Sequence, residues 1–167
     1  MRFATLIGTA VLLLGTNAWA QDVSYDYDKS ADFAALTNYV WVNGGRVTDD
    51  LNHQRILGAV DQQLAAKGNH KVDSVAGADL LVTYHLVISQ DVQVNGNGYR
   101  LNRLASARVE AVPVGALVVE IVNARTHQTV WRGIVSDDLD PKASPEKREK
   151  NLNKAVEKLF KNYPSAK

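Results

Sequence analysis

None of the 167 residues is cysteine. That absence excludes disulfides, thiolate metal sites, a thiol nucleophile and acylation of a cysteine. In an oxidising compartment it leaves core packing to hold the fold. A dominant charge is also missing, with 19 Lys and Arg against 18 Asp and Glu. Such a balance gives no general attraction to nucleic acid. Beyond the first 20 residues there is no apolar run that approaches the roughly 20 residues a spanning helix needs. The sequence holds no nucleophile-elbow motif and no phosphate-binding glycine loop. The four histidines, His53, His70, His85 and His127, include no pair at the i, i+4 spacing of a helical zinc site.

What is present begins with "MRFATLIGTAVLLLGTNAWA". One positive charge, Arg2, precedes an apolar run from Phe3 to Leu14, and the stretch closes on Ala18-Trp19-Ala20. This is the layout of a secretory signal peptide, cut between Ala20 and Gln21. The apolar run is too short for a membrane anchor. Residues 21–167 then form a chain of single-domain size, with equal numbers of basic and acidic residues once Arg2 is gone.

Two-residue alternation in "DVSYDYDKS" sets Val23, Tyr25 and Tyr27 on one face and predicts a strand with one buried side. "TNYVWVNGG" predicts a second strand. A helix follows over "TDDLNHQRILGAVDQQLAAKG". Asp49 and Asp50 stand at its start, Ile56, Leu57, Val60 and Leu64 form its apolar face, and Gly68 provides its stop. Gly58 inside it suggests a close crossing over the sheet. "ADLLVTYHLVIS" is the strongest strand pattern, with Leu80, Val82, Tyr84, Leu86 and Ile88 on one face and a half-polar opposite face. It leads to "NGNG", residues 95–98, which suits a tight hairpin. Residues 99–113 carry no clear period and read as a loop. "VGALVVEIVNARTHQTVWRGIVSDD" reads as a second hairpin turning at Ala124–His127. A closing helix starts at Ser144, Pro145 and Glu146, and its stripe is Leu152, Val156, Leu159, Phe160 and Tyr163. These elements predict a single α+β domain, a mainly antiparallel sheet packed against two amphipathic helices.

Asp137, Asp138 and Asp140 look like a metal or catalytic cluster. A calcium loop, however, places ligands at alternating positions around a glycine turn and ends on a bidentate Glu, which this stretch lacks. A polar exit from a buried strand is the simpler reading. His53 and His127 are expected at the surface. Trp41 and Trp131 read as core residues, with sugar stacking as the alternative. Lys147, Lys150, Lys154, Lys158 and Lys161 step along one side of the last helix, which suits a solvated face or contact with an anionic surface.

Several short motifs, Asp26-Tyr27-Asp28, Ala31-Asp32-Phe33, Tyr39-Val40-Trp41, Ala78-Asp79-Leu80, Val114-Gly115-Ala116-Leu117, Val130-Trp131-Arg132-Gly133 and Tyr163-Pro164, occur in that order. Together they resemble the bacterial envelope family known as domain of unknown function 4136. The resemblance implies an exported single domain without an established reaction, and it transfers no catalytic residue. Many members resemble lipoproteins, from which this cysteine-free chain departs. The expected function is therefore that of a periplasmic, non-enzymatic binding module, without cofactor, metal or lipid anchor, for an envelope protein, glycan or lipid. Tyr99, Arg100, Arg103 and Arg108 are the expected contact segment. The alternatives are a hydrolytic or metal-dependent enzyme using Asp137, Asp138 or His85, and a structural protein that self-associates through an exposed sheet edge or the half-apolar second face.

Overall fold

The computed structural model describes residues 22–42, 49–95 and 108–165. Among the described residues six strands and two α-helices follow one another as β1 (Asp22–Tyr27), β2 (Asn38–Trp41), α1 (Asp50–Ala66), β3 (His70–Lys71), β4 (Leu80–Asn95), β5 (Arg108–Asn123), β6 (Thr129–Asp138) and α2 (Pro145–Phe160), with a short 3-10 turn at Val75–Gly77 between β3 and β4. The strands form one sheet in the order β1-β6-β5-β4-β2-β3. Pairing is antiparallel for β4 with β5, β5 with β6 and β1 with β6. It is parallel where β2 meets β4 and β3. The fold is thus α+β, as the sequence predicts. The parallel part arises because α1 carries the chain back to the starting end of the sheet, so the next strand runs the same way as β2.

Both helices begin as their sequences predict. Asp49 Oδ1 accepts the Asn52 N–H at 3.1 Å, and Ser144 Oγ accepts that of Lys147 at 3.3 Å ahead of Pro145. Each bond satisfies one of the N–H groups that a helix start leaves without an intrahelical partner. Gly68 follows α1 with φ 95°, a left-handed conformation that suits glycine. The β5–β6 turn also lies where predicted, closed by His127 at φ 57°.

The core lies between one sheet face and the two helices. Ile56, Ala59, Val60 and Leu64 face it from α1, and Ala155, Val156, Leu159 and Phe160 from α2. Leu80, Val82, Leu117, Val119, Ile121, Trp131 and Val135 meet them from the sheet. Trp131 is fully buried, with its ring centroid 4.9 Å from that of Phe160 and 5.4 Å from that of Tyr163. This burial removes sugar stacking as a role for Trp131.

Five expectations need correction. Tyr25 and Tyr27 are exposed and only Val23 is half-buried, because β1 is an edge strand that the helix layer covers in part. Gly58 is not a close crossing, since a Cβ there would meet nothing within 4 Å. Leu57 is only half-buried, so the buried stripe of α1 runs through Ile56 instead. A tight hairpin at residues 95–98 does not join β4 to its partner, because Asn95 pairs with Arg108 and residues 96–107 lie between them. Residues 108–113 are not a loop: they continue β5 opposite Gln90–Asn95. Pro113, which lacks a ladder donor, hides that strand in the sequence.

The sheet therefore outruns its helices. On β4, Leu80 and Val82 are fully buried and Tyr84 is half-buried, yet Leu86 and Ile88 on the same face are 47% and 63% exposed. Val87 on the opposite face is 53% exposed. β6 flanks β5 as far as Val114, opposite Ser89 of β4, and from Gln90 to Asn95 the paired β4 and β5 form a two-stranded arm.

Two glycine substitutions should separate sharply in denaturant unfolding. A Cβ on Gly133 would collide with the Trp131 ring and lie 2.7 Å from Leu159 Cδ1. Gly133→Ala should cost about 3 kcal/mol by overpacking. Gly58→Ala, in open space on a helix, should stabilise by about 1 kcal/mol. Equal effects would contradict this packing.

Candidate functional site

Asp61 organises the most concentrated polar cluster among the described residues. It projects from α1 between the buried Val60 and Leu64 toward β2. Its Oδ1 accepts the Tyr39 hydroxyl at 2.8 Å and the Trp41 Nε1–H at 2.7 Å. Its Oδ2 meets Lys71 Nζ at 3.0 Å. Burial, the hydrogen bond to Asp61 and the Asp61 charge raise the Tyr39 hydroxyl pKa well above its ordinary value. This geometry holds a phenol neutral and spends the carboxylate as an acceptor. It ties β2 and β3 to α1 and presents no activated nucleophile. Tyr39 and Trp41 each carry a polar group that needs a partner when buried. That need was the one sequence signal for the cluster, and it did not point to Asp61.

Beside the cluster, Tyr84 stacks edge-on to Trp41 with centroids 6.2 Å apart. Its hydroxyl lies 2.8 Å from His53 Nδ1. Burial, then the nearby Asp49 charge, raise the Tyr84 pKa. His53 is thus half-buried and partnered, not at the surface as expected, because β4 carries Tyr84 under the first turn of α1. Trp41 is likewise half-buried, with its N–H engaged.

A second carboxylate works on the backbone. Asp79 Oδ2 accepts the N–H groups of Thr37 and Asn38 at 3.2 and 2.9 Å. The Asp79 N–H donates to Asn38 O, and its carbonyl accepts from Ala124. One residue thereby joins the starts of β2 and β4 to the β5–β6 turn.

The three acids after Trp131 do not converge. Asp137 and Asp138 are consecutive on β6, opposite Gly115 and Val114, so their side chains leave opposite faces of the sheet. Asp140 accepts from Lys147 Nζ and the Lys142 N–H, each at 2.9 Å. Those two hydrogen bonds, the Lys147 one first, hold its pKa below the ordinary carboxylate range. Among the described residues no three His, Asp or Glu side chains gather as a group able to hold a metal ion. His85 lies exposed on the sheet face away from the helices, opposite Val118. The lysine stripe of α2 is exposed, and Lys147 is the member bound to Asp140.

Of the expected contact segment, Tyr99, Arg100 and Arg103 lie outside the described residues, as do Ala20 and Gln21. Arg108 is the first residue of β5, opposite Asn95 at the far end of the arm. The chain from residue 96 to residue 107 therefore connects the two strands of that arm.

Fold and site together define a single-domain α+β protein: a mixed six-stranded sheet, two helices on one face, and a β-arm extending past them. The family model described as "Domain of unknown function (DUF4136)" matches residues 23–165, and the chain belongs to that family. A DUF4136 family protein from Bacteroides thetaiotaomicron is similar in structure, at TM-score 0.55 and 15% identity, covering 88% of this chain and 98% of that one. A PDZ domain protein from Parabacteroides distasonis is similar at TM-score 0.55 and 12% identity over 86% of this chain. The match spans only 36% of that protein. The PelC dodecamer from Paraburkholderia phytofirmans matches at TM-score 0.49 and 12% identity, over 84% of this chain and 95% of that chain. At these identities the likeness is one of fold. No curated protein matches the sequence.

Asp61→Ala should lower unfolding stability by about 2 kcal/mol, since it leaves the buried Tyr39 hydroxyl unpartnered, and Asp61→Asn should cost less. Stability should also fall at alkaline pH. Burial raises the Tyr163 pKa as it does that of Tyr39. A phenol raised in the folded state favours folding fully below its unfolded pKa of about 10, and that contribution is lost as pH rises further. Denaturant midpoints between pH 8 and pH 11 should be level and then drop. Tyr163→Phe should soften the drop and leave the neutral-pH midpoint equal or higher, because the buried Tyr163 hydroxyl has no hydrogen-bond partner among the described residues.

Proposed function

We propose that residues 1–20 export the chain, that cleavage falls between Ala20 and Gln21, and that the mature protein is a non-enzymatic periplasmic module that binds another envelope component through the β4–β5 arm. The observation that carries this reading is the exposure of Leu86, Val87 and Ile88 at the base of that arm, where the sheet leaves the helix layer. Exposed apolar residues clustered where a sheet passes its helix layer are costly in water and favour an interaction surface. The contact segment predicted from sequence, Tyr99, Arg100, Arg103 and Arg108, belongs to the same part of the chain, between the arm's strands and at the start of β5. Its arginines suit an acidic group on the partner, since a guanidinium binds carboxylate or phosphate with two parallel hydrogen bonds. The cysteine-free sequence excludes cysteine acylation as a membrane attachment. Among the described residues no helix is long and apolar enough to cross a membrane.

Photocrosslinking in whole cells tests the reading, with the reactive residue placed at Ile88 or at Tyr99. A discrete adduct from either position is expected, and a folded, exported protein that yields none overturns the arm as the contact element. The intact mass of the periplasmic protein should correspond to a chain starting at Gln21. Retention of residues 1–20 would contradict export by a cleaved leader.

A further inference from the structure

We infer that the edge of β4 that no described strand covers is a self-pairing edge, and that two copies of this chain join there, antiparallel about a two-fold axis at Gln90. The inference deepens the proposed function: it rests on the arm as the contact element and assigns the edge of that arm to a second copy.

Hydrogen-bond direction fixes which backbone groups of β4 face the β2 side. Among the described residues β2 runs beside β4 from Leu80 to Val82, where the Val42 N–H donates to Val82 O at 2.9 Å. The backbone groups of Val82 therefore point to the β2 side. Since direction alternates along a strand, those of Tyr84, Leu86, Ile88, Gln90, Val92 and Val94 point the same way. Among the described residues no strand lies there to receive them. From Gln90 onward β4 and β5 form a two-stranded ribbon, which is marginal in water, and an open edge is a template for another strand.

The arm's other edge is blunted. Asn123 donates to Gln128 O, so odd-numbered residues of β5 direct their backbone groups toward β6. β6 ends opposite Val114, and the next residue facing that side is Pro113, which has no N–H. From Tyr84 to Asn95, β4 contains no proline.

The sequence of the edge is self-complementary. An antiparallel pair about a two-fold normal to the sheet keeps equivalent faces on the same side, so a position pairs with one of the same parity. Centred on Gln90, the register sets Leu86 opposite the second copy's Val94 and Ile88 opposite its Val92. Gln90 then meets Gln90, and Ser89 meets Asp91. Apolar positions meet apolar positions on the face that carries the exposed Leu86 and Ile88. These even positions are also the ones with outward backbone groups. Their pairs exchange about ten hydrogen bonds, the number typical of a specific interface. The pairing uses the edge as far as Asn95 and stops at His85, short of β2.

The absence of native cysteine makes thiol crosslinking a clean test. Gln90→Cys places two thiols across the axis with Cα atoms about 5.5 Å apart, within disulfide reach. Gln93→Cys places them about 20 Å apart. Under mild oxidation the first should give a covalent dimer and the second none. Sedimentation of the purified chain should show a reversible dimer that Val92→Pro weakens at least tenfold. That proline removes an N–H facing the open edge, so the circular dichroism melt of the variant should match that of the native chain. A chain monomeric at all concentrations, crosslinking at residue 93 equal to that at residue 90, or a folded Val92→Pro variant that dimerises as tightly as the native chain, each overturns the inference. A monomeric chain that still gives a foreign adduct in cells would sink the self-pairing and leave the proposed function standing.

Discussion

The ring of Trp131 lies over a residue with no side chain, and the rest of the core is arranged around that contact. Gly133 follows Trp131 on the same face of β6, and even one carbon added there would strike the indole and crowd Leu159. The missing Cβ lets the indole settle on the sheet and α2 descend onto both. Phe160 and Tyr163 close on the ring, and Phe33 meets Tyr163 edge-on at 5.8 Å. The first strand, the loop after it, the last strand and the last helix thus converge on one aromatic cluster. Such clusters bury large areas and add favourable edge-to-face geometry.

Two carboxylates do for the other end of the sheet what the aromatics do for this one. Asp79 binds the N–H groups that open β2, and Asp61 binds the side chains that β2 projects toward α1. Buried donors without partners are expensive, so these residues fix β2 in its parallel place instead of merely tolerating it. The motifs that carry the family likeness fall almost entirely on these two anchors: Tyr27, Phe33, Tyr39, Trp41, Asp79, Trp131, Gly133 and Tyr163. They explain how the fold holds, and they leave recognition to other parts of the chain.

Local signals were legible where local physics decides. Ser144-Pro145-Glu146 started α2, Asp49 started α1, and the alternation around Trp131 and Val119 marked core strands. The sequence was opaque where distant partners decide. β3 is two residues long and exists because it pairs with β2. The parallel β2 depends on where α1 returns the chain. Asp61 could be seen only as a polar residue beside a helix stripe, because its partners lie some 20 residues away on a strand. In β4 the apolar pattern was plain, but its meaning was not. Alternation cannot tell a face covered by its own helices from one that continues past them, and here Leu86 and Ile88 follow Leu80 and Val82 without a break.

The molecule therefore divides into a body fixed by its aromatic and carboxylate anchors and an arm whose order depends on what pairs with it. Amide hydrogen exchange across a dilution series tests that division most directly. Exchange should be slow and independent of concentration at Val82, Val119, Ile121 and Trp131, while amides facing the open edge from Leu86 to Val94 should be protected in concentrated samples and exchange quickly on dilution. Edge amides equally slow at every concentration would contradict it, as would body amides that change along with the arm.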